Sequence, residues 1–358
     1  IAQGCLLEAM ATYERALQWA TTPGMPVLRG AADMHVGQSN LYYEHNDLQT
    51  ALQHLLTSRA LGELAGLPQN PYRWCAAMAR IREAQGDLDN ALELLDQAGR
   101  LYNANFSPNV RPIAARKARV WVAQGRLGEA LGWAREQGLS VDNELSYLHE
   151  FDHITLVRVL LARYQSDCED GSISGVLGLV ERLLKAAEER GGKGSVIEIL
   201  VLQALAYHAQ GDHPSALMSL QHALALAEPE GYARIFLDEG PSMMELLREA
   251  VSRGFMSDYT GRLLAAFKSE KMKSADKPDI SFALPAGHQD GEPLFEPLSQ
   301  RELEVLKLLR SDLSGPEIAL QLSVSINTFR THTKNIFIKL EVNDRRAAVR
   351  RAEELDLI

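Results

Sequence analysis

Cysteine is scarce: Cys5, Cys75 and Cys168 are the three in 358 residues, far apart in sequence. That excludes a disulfide framework and leaves no cysteine pair at metal-ligand spacing, as expected of a chain in a reducing cytoplasm. Long hydrophobic runs are missing too. The most apolar stretch, "VIEILVLQALAYHAQ" from Val196, is broken by Glu198 and Gln203 and falls short of the roughly 18 apolar residues that a membrane span needs. No membrane association is expected. The opening "IAQGCLLEAM" has no initiating Met and no basic segment ahead of an apolar run, so the expectation is a piece whose upstream portion is missing.

What is present is ordinary soluble composition, 46% hydrophobic and 23% charged, on a chain long enough for two or more domains. The net charge of −10 is unevenly spread. Residues 297–358 hold ten Lys/Arg against nine Asp/Glu, a balance of +1, which leaves −11 on residues 1–296. Within 325–351, seven cations (Arg330, Lys334, Lys339, Arg345, Arg346, Arg350, Arg351) face two acids, Glu341 and Asp344. A local +5 in an acidic chain points to a polyanion partner, with a solvated helical face as the plain alternative.

One phrase recurs: "QGCLLEAM" (3–10), "HNDLQTAL" (45–52), "QGDLDNAL" (85–92), "QGRLGEAL" (124–131) and "QGDHPSAL" (210–217). Its alanine falls at Ala9, Ala51, Ala91, Ala130 and Ala216, and "DGSISGVL" (170–177) is a degenerate copy with Val176 in that slot. Gly or Asn supplies a left-handed helix stop, the next residues start a second helix, and the small Ala allows close approach. Each unit is then a helix hairpin that buries its apolar face by stacking on its neighbours in a curved solenoid. The pattern is tetratricopeptide-like, with a period of about 40 rather than about 34 residues. The repeat domain is expected over 1–267. Residues 268–296, rich in Lys, Asp, Ser, Gly and Pro, read as a flexible linker, and 297–358 as a separate domain.

That last domain is dense in helix signals. Ser299 with Glu302, and Ser314 with Glu317, form capping boxes, and Ser325 can cap a third helix after the short turn "SVS". The spacing predicts a helix-turn-helix. Ala319 sits where two helices cross, and Phe329, Ile336 and Leu340, with His332 at the margin, form the core stripe of the third helix. Its other side carries Asn327, Arg330, Thr331 and Lys334, with Thr328 beside them and Lys339 extending the cationic character. These groups suit a DNA major groove: Arg and Lys reach guanine or phosphate, Asn pairs with adenine, and Thr bonds or touches a thymine methyl. A fourth segment, "DRRAAVRRAEELDLI", has Ala348, Val349, Ala352 and Leu355 at helical spacing and is expected to pack on the module and to pair two copies on DNA.

Residues 297–358, with "EIA", the Ser325-x-x-Thr328 helix start, "KL" and the closing "AVRRA", resemble the LuxR-type helix-turn-helix. The repeats, with "ALMSLQHALALAEPEGYARIFLDEG", resemble the repeat region of the large MalT-like regulators. The resemblance implies an all-α protein: a tetratricopeptide-like superhelical repeat domain that senses an effector small molecule or protein, then a four-helix DNA-binding domain. It further implies double-stranded promoter DNA and RNA polymerase as partners, self-association on DNA, and activation of transcription. Arg330, Thr331 and Lys334 fall where the family contacts DNA. No catalytic residue, metal or cofactor is expected in this chain; an upstream nucleotide-binding module would hold any ATPase activity. Asp312, Ile338, Glu341 and Phe329 depart from the family's usual Gly, polar or basic residue, Gly and Val.

Two other patterns compete. "HEFDH" (His149–His153) matches H-E-x-x-H, but it lies within the repeats and reads as a polar-edged helix. "ERGGKGS" (189–195) lacks phosphate-loop spacing and reads as an inter-helix loop. The rival function is a protein-interaction scaffold without DNA binding; a sigma-factor-like module is a second rival, opposed by the fourth helix and the repeats.

Overall fold

The recurring phrase is a tight turn between two helices. In five copies the residue at the glycine position has left-handed backbone: Gly4 (φ 78°) in the first, and Asn46 (63°), Gly86 (75°), Gly125 (73°) and Gly211 (84°) in the four that follow a described helix. In those four its N–H donates to the carbonyl three residues back, on Tyr43, Glu83, Val122 and His208 respectively. The following residue, Asp47, Asp87, Arg126 or Asp212, donates to the carbonyl five back, on Tyr42, Arg82, Trp121 and Tyr207. This pair of bonds is the Schellman motif, which satisfies the free carbonyls of a helix end. The carbonyl of that following residue then accepts the N–H of Ala51, Ala91, Ala130 or Ala216. The stop of one helix is thus the start of the next.

The computed structural model describes residues 4–22, 26–102, 109–167, 173–254, 258–275, 300–311, 313–322, 342 and 345–354, together with Phe329, Thr333, Ile336 and Leu340. All regular structure among them is helical. They form two compact units, 1–278 and 279–358. In the first, α1 (Leu6–Ala20) precedes five hairpins: α2 (Ala31–Glu44) with α3 (Leu48–Ala65), α4 (Asn70–Ala84) with α5 (Leu88–Leu101), α6 (Ile113–Ala123) with α7 (Leu127–Glu136), α8 (Glu150–Asp167) with α9 (Ile173–Glu189), and α10 (Lys193–Gln210) with α11 (His213–Ala227). The short α12 (Arg234–Leu237), α13 (Gly240–Ser252) and α14 (Asp258–Ala275) complete it. Ala51, Ala91, Ala130, Val176 and Ala216 are fully buried and Ala9 is half-buried, so the slot is where neighbouring helices come closest.

The apolar stretch from Val196 lies on α10, which packs against α8, α9, α11, α12 and α13. A helix covered on all sides carries apolar residues all round, and Val196 to Ala206 is buried, with Glu198 alone partly so. No described helix is long and apolar enough to cross a membrane.

Periodicity predicts curvature, and here the curve closes: the two ends of the repeat unit meet. Ala233 N–H donates to the Glu44 carbonyl (2.7 Å), and Leu7 N–H donates to Glu230 Oε2 (3.1 Å). The Tyr43 hydroxyl donates to Asp238 Oδ2 (3.0 Å). Gly4 is backed so closely onto Lys193 that an added Cβ would lie 2.5 Å from the lysine Cβ. The linker expected from Lys268 also differs: residues 268–275 are the last two turns of α14, because "KSEKMKSA" contains good helix formers and no Gly or Pro to stop it. The remainder of that expected linker lies outside the described residues.

The second unit contains α15 (Gln300–Leu309), α16 (Gly315–Gln321) and α17 (Arg345–Glu354). Between α16 and α17, Phe329, Thr333 and Ile336 are helical, with Thr333 Oγ1 donating to the Phe329 carbonyl (2.9 Å) and Leu340 N–H to that of Ile336 (2.9 Å).

Candidate functional site

The helix-turn-helix unit is held by a small apolar core of Val305, Leu306, Leu309, Ile318, Phe329, Ile336, Leu340, Ala348 and Ala352. Phe329, Ile336 and Leu340 are therefore inward, at 7%, 0% and 2% exposure. An added Cβ on Gly315 would meet the Phe329 ring at 2.9 Å, so the start of α16 sits directly on that ring. Ser314 caps α16: its N–H and its hydroxyl both donate to Glu317 Oε2, at 2.8 and 2.6 Å. Those two bonds hold the exposed Glu317 carboxyl below its usual range. Arg345, at the start of α17, donates to the carbonyls of Leu309 (2.8 Å), Ser311 (2.5 Å) and Leu313 (2.6 Å). It is a clasp on the C-terminal end of α15, where a cation also suits the helix dipole. One of the seven cations counted toward a polyanion-facing patch is thus taken by internal carbonyls. Arg350 is exposed. Asn327, Thr328, Arg330, Thr331, Lys334 and Lys339, and the side chain of Ala319, lie outside the described residues, as do Ser299 and Ser325.

The repeat unit carries a second candidate site that residue-by-residue motif reading missed. Its inner helices hold a ladder of ion pairs: Arg80 with Glu44 (2.8 Å), Arg119 and Arg158 both with Glu198 (2.9 and 2.8 Å), Arg158 also with Glu239, and Arg234 with Asp238 and Glu270. Burial alone would raise the Glu198 carboxyl, but Arg119 and then Arg158 hold it at about 2. Arg158, with Glu239 and Glu198 beside it, is pushed up despite its burial. Its neighbours differ. Burial and the like charge of Arg158 bring Arg119 down to about 9, and burial with Arg111 brings Arg116 down to about 10. Glu83 is raised to about 7 by burial and by Asp238, although three arginines oppose the shift. The signal was in the sequence as a charge run: from Gln97 to Gly128 there are six cations (Arg100, Arg111, Arg116, Lys117, Arg119, Arg126) and no carboxylate.

The competing patterns have structural roles. In "HEFDH", His153 is buried with Nδ1 bonded to the His149 carbonyl (2.8 Å), while His149 faces Asp152 Oδ2 (3.3 Å). Glu150 accepts from Ser195 Oγ (2.6 Å) and pairs with Arg190. These groups hold α8 to the start of α10 and do not converge on one point. "ERGGKGS" is the turn from α9 to α10, with Gly191 left-handed at φ 70° and Gly192 N–H donating to the Ala187 carbonyl (3.1 Å). Among the described residues, His208, His213 and Glu249 bring ligand atoms within 4.8 Å of one another. Both oxygens of Glu249 are occupied there, by His213 Nδ1 (2.9 Å) and Arg253 (2.7 Å), which is a clasp between α11 and α13.

Fold and sites together define a class: a unit of stacked helix hairpins, tetratricopeptide-like in its repeat, with a second, smaller helical unit. Residues 1–253 match the MalT-like TPR region, and residues 296–352 match the bacterial regulatory proteins of the luxR family. The first match spans most of the chain, so this chain belongs to the MalT-like family, with a luxR-family domain after its repeats. It is similar to the HTH-type transcriptional regulator MalT of Cronobacter sakazakii, at 27% identity over 305 residues. That alignment covers 80% of this chain and 32% of the relative, so the chain spans about a third of the relative's length.

Proposed function

We propose that this chain is the sensing and DNA-reading part of a cytoplasmic transcriptional regulator. The observation that carries it is the luxR-family match over residues 296–352, together with a core that turns Phe329, Ile336 and Leu340 inward. A helix in that register carries Asn327, Arg330, Thr331 and Lys334 on the opposite side by periodicity alone, which is the set a major groove accepts. Promoter DNA is the proposed ligand of this side, with RNA polymerase as partner and two copies pairing on the operator. The repeat unit is proposed to take an effector. The scaffold reading is less favoured, because it leaves the tail's cations without a role.

The test is a gel-shift series of the full chain with promoter fragments across salt concentrations. A DNA reader loses affinity with a log-log slope of about −0.9 for each phosphate contact. Lys334→Ala is expected to weaken binding to all sequences and to flatten that slope by about one contact, while Arg330→Ala also relaxes sequence preference. Wild-type salt dependence in both variants removes these residues from the interface, and no retained DNA at low salt returns the scaffold.

A further inference from the structure

Arg111, Arg116 and Arg119 form a half-buried cationic cluster with few carboxylates to share, Glu83 and Glu198. Arg119 gives Nε to Thr155 Oγ1 (2.9 Å) and Nη1 to Glu198 (2.9 Å), which Arg158 shares. Its Nη2 is buried and has no acceptor among the described residues. The same holds for Nε of Arg116, whose Nη1 makes a long 3.5 Å contact to the Ala76 carbonyl. Arg111 has no ion pair among the described residues; it and Arg119 lie over the Phe151 ring, at 5.6 and 3.9 Å from its centroid. Buried guanidinium N–H groups normally find acceptors, and leaving them unmade is costly. The run of six cations from 97 to 128 has no carboxylate of its own, so the nearby counter-charges, Glu83 and Glu198, come from other helices and are shared among several arginines.

We propose that this cluster is a binding site for a small oxyanion ligand, one bearing a carboxylate or phosphate group. Arg116 and Arg119 supply the missing hydrogen bonds and Arg111 the closing charge. Guanidinium forks match the planar or tetrahedral oxygens of such groups, and stacking on Phe151 holds the Arg111 and Arg119 guanidiniums in place. The inference rests on the proposed effector-taking role of the repeat unit and gives its ligand a chemistry.

The experiment is calorimetric titration of the full chain with succinate, inorganic phosphate and the uncharged isostere succinamide, at matched ionic strength in chloride. Saturable binding of succinate or phosphate is expected, and which of the two binds tighter identifies the oxyanion. Arg116→Gln should weaken it about tenfold or more, the loss for one charge-assisted hydrogen bond, and Arg111→Gln, which removes the closing charge, should weaken it severalfold; Arg111, having no ion pair to break among the described residues, keeps the test valid if the first variant folds poorly. An Arg330→Gln/Lys334→Gln double variant should retain the binding. No saturable heat with either anion, or equal binding in the Arg111 and Arg116 variants, overturns the site. Binding of succinamide alone, unchanged in the variants, overturns the anion chemistry but leaves the repeats as a sensor. Anion binding that leaves promoter affinity unaltered keeps the site and removes the sensing role.

Discussion

Two stretches of this acidic chain are cationic, and their surroundings are opposite. Residues 97–128 carry six cations without a carboxylate and feed the inner ladder of the repeat unit, where Arg119 is 22% exposed and Arg158 14%. Residues 325–351 carry a local +5 on the small tail unit, where Arg350 is exposed and one cation, Arg345, is drawn in to cap α15. The same charge therefore has two meanings. Surrounded by packed helices it needs a built-in counter-ion or a bound one, since a desolvated charge is costly. Beside water it costs little and attracts a long polyanion from a distance.

Breaking the internal ladder should have the largest effect. Glu198→Ala leaves Arg119 and Arg158 facing each other, and unfolding of the repeat unit should become easier by about 3–5 kcal/mol, measured by urea denaturation followed at Trp121 and Trp133; an unchanged midpoint would show that solvent already neutralises the ladder. On the tail side, Arg345→Met removes three carbonyl bonds at once. A loss of about 2 kcal/mol is expected there, with the repeat unit's transition unmoved, and a shift of both transitions would mean that the two units unfold together. Gly86→Ala tests the repeated turn: at φ 75° an alanine is strained, and about 1 kcal/mol should be lost.

The smallest effect has the opposite sign and depends on pH. Glu83 ionises at about 7 in the folded chain against 4.5 for a free carboxyl. The folded state therefore holds its proton more tightly than the unfolded state, and this group's contribution falls as pH rises from about 4.5 to 7. Glu83→Gln should be neutral near pH 4 and stabilising near pH 8, by on the order of 1 kcal/mol. Equal midpoints for the two chains at pH 8 would place the carboxylate in contact with water or with its arginines.

Local features were legible because they are governed by near neighbours. The Gly/Asn position, the following residue and the alanine slot fix a Schellman stop, a helix start and a close contact within eight residues, so the hairpins could be read without knowing their partners. The same is true of Ser314 with Glu317, and of the seven- and four-residue spacing that turns Phe329, Ile336 and Leu340 to one side. The end of α14 was misread, since "KSEKMKSA" is polar like a linker and helical by propensity, and composition does not choose between them. The inner ladder was missed for a different reason. Arg119, Arg158, Glu198 and Glu239 are tens of residues apart, and each alone looks like an ordinary surface charge.

The sequence by itself determined that the chain is a run of helix hairpins followed by a second unit of capped helices, and that Phe329, Ile336 and Leu340 are the inward residues of their helix. Tertiary structure alone decided that the run closes, with Ala233 bonded to Glu44, and that distant arginines and glutamates thereby face one another. Local propensity and periodicity act over a few residues, whereas closure depends on the summed small rotations of every repeat, and no short stretch of sequence contains that sum.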